Sequence, residues 1–106
     1  MALIDRVNLA NDGTFQARCL ASASAAALAI INEAVGPSTP KRQQYAVAVL
    51  GPQGHLFAPS IARAVAAANP ALATAFVAGG QNAISDAQID MAVASAWNAL
   101  AGVVSL

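Results

Sequence analysis

Few side chains in this 106-residue chain are of types that do chemistry, and the first to weigh are His55, Cys19 and the carboxylate pair Asp86 and Asp90. A histidine acting as general base needs a nucleophile within hydrogen-bond reach and a carboxylate to orient it. A metal site would need further ligands. The segment "GPQGH" around His55 supplies neither, so His55 reads as an ordinary loop histidine. Cys19 lies among apolar residues, where free cysteine usually packs as a small hydrophobe. A reactive thiolate wants a positive neighbour, and Arg18, adjacent in sequence, points about 100° away on a helix. Asp86 and Asp90 are one helical turn apart and share a face. Acid–base work would require burial in a cleft, whereas a helix N-terminus favours such charges through its dipole alone. The glycine segments "GPQGH" and "AGGQNA" lack the strand–loop–helix setting and the Lys-Ser/Thr pair of a phosphate cradle. The expectation is therefore a protein that is not an enzyme, with no catalytic residues, metal or cofactor.

Composition narrows the partners. The chain is 58% hydrophobic but 5% aromatic and 9% charged, against a typical charged share of about 25%. Alanine supplies most of the apolar excess, so the mean hydropathy of +0.57 overstates the force available for burial. Five basic and five acidic groups cancel to zero net charge, which leaves little to keep a free monomer soluble. Homo-oligomeric packing is expected. Nucleic acid is not an expected partner, because Lys41-Arg42 is the only basic doublet and no clustered basic face interleaved with aromatics is visible.

A lone cysteine gives no internal disulfide and no sign of an oxidising compartment. "MALIDRVNLANDG" carries Asp5 and Arg6 where a signal peptide would be apolar, so no secretory signal is expected. A membrane span needs about 20 predominantly apolar residues. "CLASASAAALAII" offers thirteen uncharged ones, and the longer run from Ala64 to Ser85 is broken by "NP" and "GGQN". A buried helix is expected in preference to insertion.

Pro and Gly cut the chain into helical pieces, with no alternating β-branched pattern. The fold expected is all-α, a single domain over 1–106 forming a bundle of about five helices. A first short helix covers about 2–10, with Leu3, Val7 and Ala10 inward. "NDGT" breaks it, and Asp12 or Thr14 can cap the next helix, which runs from about Phe15 to Ala34. Phe15, Cys19, Ser22, Ala26 and Ile30 share one face, and Leu20, Ala27 and Ile31 make a second, the pattern of a central helix covered on several sides. "VGPSTPKR" is a turn in which Gly36 suits the position after a helix, Thr39 caps and Pro40 opens a helix running to about Leu50. Its inward residues are Tyr45, Val49 and Leu50. "GPQGH" reads as an irregular loop. A helix from about Pro59 to Ala68 places Ile61 and Val65 inward, and Asn69 can cap a short segment holding Leu72 and Phe76, ended by Gly79-Gly80. Ser85-Asp86-Ala87-Gln88 is a capping box, with Ile84 as hydrophobic staple. Ile89, Val93, Ala96 and Leu100 form the stripe of the last helix, which Gly102 ends. Trp97, beside that stripe, suits a core anchor or an interface anchor equally, since large aromatics are enriched at both. Together with Tyr45 and Phe57 it forms the candidate interface set.

Three stretches, "MALIDRVNLANDGTFQARCLASASAAALAIINEA", "KRQQYAVAVL" and "ISDAQIDMAVASAWNALAGV", resemble small helical proteins of tailed bacteriophages encoded among head and head–tail morphogenesis genes near the major capsid protein. The elements that match best are "FQAR", "KRQQ" and the final helix from Asp86 through Ile89 and Asp90 to Trp97. The resemblance implies a virion component in many copies, bound to capsid or neck (head–tail connector) proteins, with no catalytic residues to carry over. A connector lining a DNA channel would often carry a charged lumen, and the low charge favours a peripheral position. Two other classes fit the composition: a small membrane-active, holin-like protein, and a soluble cytoplasmic adaptor.

Overall fold

A computed structural model of the chain describes residues 3–32 and 40–101, without the side chains of Leu3, Pro40 and Lys41. These residues form six α-helices and no strand: α1 (Leu3–Ala10), α2 (Gly13–Ile31), α3 (Pro40–Leu50), α4 (Ala58–Ala68), α5 (Pro70–Gly79) and α6 (Asp86–Leu100). Two 3-10 turns, Gly54–Phe57 and Gly80–Ala83, join α3 to α4 and α5 to α6. The all-α class holds, with one helix more than the expected five. The extra count comes from α5, a full ten-residue helix set off from α4 by Asn69-Pro70.

Local chemistry sets the helix ends. Asp12 adopts an extended backbone and its carboxylate accepts from Phe15 N, so Asp12 is the cap of α2. Pro40 and Pro70 occupy first helical positions, where the missing N–H costs nothing. Gly80, with φ +69°, ends α5 in a region closed to other residues. The capping box of α6 is complete: Gln88 N donates to Ser85 Oγ at 3.1 Å and Ser85 N donates to Gln88 Oε1 at 2.8 Å. Asn69 departs from expectation, because its side-chain amide donates back to Val65 O at 2.9 Å and caps nothing ahead of it. The stretch expected as an irregular loop at 51–55 becomes the first 3-10 turn. Gly54 is required there, since a Cβ would sit 1.9 Å from the Val49 carbonyl oxygen.

Helix α2 packs on α3, α4 and α6, while α1 lies across α4 and α5. The core combines a few large side chains, Trp97, Phe15, Leu9, Ile61, Ile84 and Ile89, with fully covered alanines at 23, 27, 46, 62 and 73. Alanine at a contact lets helix axes approach to the short end of the ~8–10 Å range, so a chain poor in bulky residues still excludes water.

Two faces differ from the sequence reading. In α1, Leu9 and Ala10 are buried and Val7 is exposed. In α2 the buried line is Phe15, Cys19, Ala23, Ala27 and Ile30, with Ser22 and Ala26 only partly covered. Ile31 and Leu50 face outward. Helix α2 is thus flanked by three helices, with one strip through Ala17, Ala21, Ala25 and Leu28 left exposed. Gly36, Thr39 and Gly102 lie outside the described residues, as does the side chain of Leu3.

Candidate functional site

The three aromatic residues singled out in the sequence come together from separate segments. The Tyr45 ring meets Phe57 edge-on at 5.5 Å between centroids and Trp97 at 5.2 Å, the T-shaped arrangement favoured by ring quadrupoles. Tyr45 enters from the middle of α3, Phe57 from the end of the first 3-10 turn, and Trp97 from α6. Trp97 is only 1% exposed, so within the chain it is the core anchor, and a partner touches at most the half-buried Tyr45 and Phe57. Burial pushes the Tyr45 phenol up, and its buried hydroxyl has no hydrogen-bond partner among the described residues, since the Ser60 proton goes to Phe57 O at 3.0 Å. The cluster is a joint between α3, α4 and α6.

A second assembly escaped the sequence reading. Arg18 spreads its guanidinium over four acceptors: Nη1 donates to Gln81 O (3.0 Å) and Oε1 (3.1 Å), and Nη2 to Ile84 O (2.7 Å) and Asp86 Oδ1 (2.9 Å). Gln81 Nε2 donates in turn to Asp12 Oδ1 at 2.9 Å. One turn along α2, Ser22 Oγ donates to Asp90 Oδ1 at 2.6 Å. This clasp fastens the second 3-10 turn and the start of α6 to α2, across more than 60 residues of chain. Its members were visible singly, but contacts at that separation leave no local signal.

The candidate reactive groups fall into structural positions. Asp86 and Asp90 are both exposed and both engaged in the clasp, one by Arg18 and one by Ser22. Cys19 is fully covered; burial pushes its thiol up to about 12, with the Arg18 charge offsetting only part of the rise. Such a thiol stays protonated and inert at neutral pH. His55 is exposed on the first 3-10 turn. Among the described residues no three His, Cys, Asp or Glu side chains gather closely enough to hold a metal ion.

What the surface offers instead is uncovered apolar area. Leu28 and Ile31 of α2, Val47 and Leu50 of α3, Leu56, Val77 and Met91 are each between 41% and 73% exposed. Along α2 the outward positions Ala17, Ala21, Ala25 and Leu28 follow one another at helical steps without a charge. Over 5949 Å² of accessible surface the chain distributes ten charged side chains. Helix α2 is also long and apolar enough to cross a membrane, and only 28% of its most apolar window is buried in the fold. Set against known protein families, characterised proteins and solved structures, the chain matches none.

Proposed function

We propose that this chain is a non-catalytic structural subunit of a tailed-phage virion, packed in many copies against capsid or neck proteins. One observation carries the reading: the outward faces of α2 and α3 expose Leu28, Ile31, Val47 and Leu50 on a chain of zero net charge. An apolar surface of that kind, with few charges to keep it dispersed, is suited to being covered. The polar contacts of Asp86 and Asp90 within the clasp and the burial of Cys19 support a scaffold role, and the resemblance of the sequence to small phage head and neck proteins supplies the assembly. The subunit contributes shape and contact area. Its site of action is the virion, reached by assembly in the host cytoplasm.

A second reading has its own support. The length and apolar composition of α2 suit a membrane-active protein of the holin kind. Against it, α2 contributes Phe15, Cys19, Ala23, Ala27 and Ile30 to the core, and insertion would strip that core. Fractionating a lysate of cells that express the chain from its native locus separates the readings. Co-sedimentation with particles supports the virion subunit. Retention in the membrane pellet, or a wholly soluble chain, refutes it.

A further inference from the structure

Between α1 and α4 lies a cleft of about 120 Å³ lined by Arg6, Val7, Ala10, Arg63, Ala66 and Ala67. Its volume approaches the ~150 Å³ of an apolar cavity that accepts benzene, which is room for one aliphatic side chain. The lining surface is entirely apolar, so the two arginines wall it with their methylene stems, as long cationic side chains do. Arg6 Nη1 reaches Ala67 O at a long 3.5 Å, and Arg63 stands one turn before Ala67 on the same face of α4. Neither has a carboxylate within ion-pair distance among the described residues, and Arg6 Nε is buried without a hydrogen-bond partner. Ile4, one turn from Val7 on α1, is 60% exposed.

Two arginines that line one apolar cleft without a carboxylate at ion-pair distance among the described residues leave it complementary to an anion. Resting on the reading of the chain as an assembly subunit, we propose that the α1–α4 cleft docks an acidic segment of a neighbouring polypeptide. One aliphatic side chain of that segment fills the cleft, and an adjacent Asp or Glu carboxylate bridges Arg6 and Arg63. The polypeptide source is favoured because the cleft has room for one side chain and is lined by two arginines. A lipid surface would need a broad basic face, and the described residues form none.

The test uses the ¹⁵N-labelled full chain and two blocked dipeptides of equal size, acetyl-Leu-Glu-amide and acetyl-Leu-Lys-amide. The acidic peptide should shift the amide resonances of Val7, Ala10, Ala66 and Ala67 at millimolar concentration, and the basic one should not. Arg63→Gln, at an exposed position that leaves the fold intact, should weaken the acidic peptide about fivefold, the worth of one partly exposed charge pair. Equal shifts from both peptides, shifts located elsewhere, or no effect of Arg63→Gln would overturn the proposal. So would capture of the chain by phosphatidylglycerol vesicles with the same dependence on Arg63, which would make the rim a headgroup site. Because the isolated chain is used, failure here leaves the virion reading standing, and absence of the chain from particles leaves this measurement unaffected.

Discussion

Arg18 offers the sharpest test of how the fold is held. Two of its four acceptors are backbone carbonyls, Gln81 O and Ile84 O, and its side chain is 23% exposed, while its carboxylate partner Asp86 is 89% exposed. A hydrogen bond from a charged donor contributes about 1.5–3 kcal/mol when largely shielded, whereas an exposed ion pair contributes about 0.2–1 kcal/mol. The carbonyl bonds should therefore dominate. Arg18→Met should cost about 2–3 kcal/mol, since it keeps the aliphatic packing and removes every donor. Asp86→Asn should cost about 1 kcal/mol or less, including its favourable place in the first turn of α6. Arg18→Lys keeps the charge but loses the planar fork that reaches both carbonyls, and should lose more than half of what Arg18→Met loses. Urea denaturation at 0.05 M and 0.5 M salt measures all three, because the ion pair alone is strongly screened. If Arg18→Lys is nearly neutral, or Asp86→Asn costs as much as Arg18→Met, or the cost disappears at high salt, the clasp is an ion pair and the reasoning is wrong.

Other outcomes follow from single features. Ser85→Ala should destabilise by about 0.5–2 kcal/mol through loss of the α6 cap, read by thermal or chemical melting. Gly54→Ala should cost at least about 1–3 kcal/mol, the scale of overpacking, because the added Cβ meets the Val49 carbonyl and the 3-10 turn must move. The raised thiol of Cys19 makes stability pH-dependent in the alkaline range. Its ordinary pKa of 9.0 rises to about 12 on folding, so the stabilisation is full below pH 9 and is lost as pH climbs toward 12. Cys19→Ala should flatten that decline, leaving the part due to the raised Tyr45 phenol. Trp97, already covered in the single chain, should emit at short wavelength and resist acrylamide quenching before any assembly, and an emission maximum near that of free tryptophan would contradict the core packing.

Much of the architecture could be read from the sequence, and the pattern of success has a physical cause. Caps and breaks depend on residues a few positions apart, so Asp12, Pro40, Gly80 and the Ser85–Gln88 box announce themselves. Faces were harder, because alanine marks neither inside nor outside. In "CLASASAAALAII" a shift by one residue, from Ala26 to Ala27, exchanges one alanine for another and leaves no trace in the pattern. The same degeneracy hid the outward placement of Val7 and Ile31, which differ little in polarity from the buried Leu9 and Ile30. The aromatic joint and the Arg18 clasp both depend on contacts distant in sequence. Their members could be named, but their meeting could not. The Arg6–Arg63 cleft was hidden for the same reason, since its two arginines lie 57 positions apart in the chain.

The central claim, that the outward apolar faces of α2 and α3 are covered in a many-copy virion assembly, is tested most directly by their chemical accessibility. In a Cys19→Ala background, single cysteines placed at Leu28 and at Val47 can be labelled with a maleimide, once in the isolated chain and once in particles purified by density gradient. Both positions should react readily in the free chain, where they are 53% and 60% exposed, and be protected in particles that retain the chain. Equal labelling in the two states, or particles that do not contain the chain, would contradict the account.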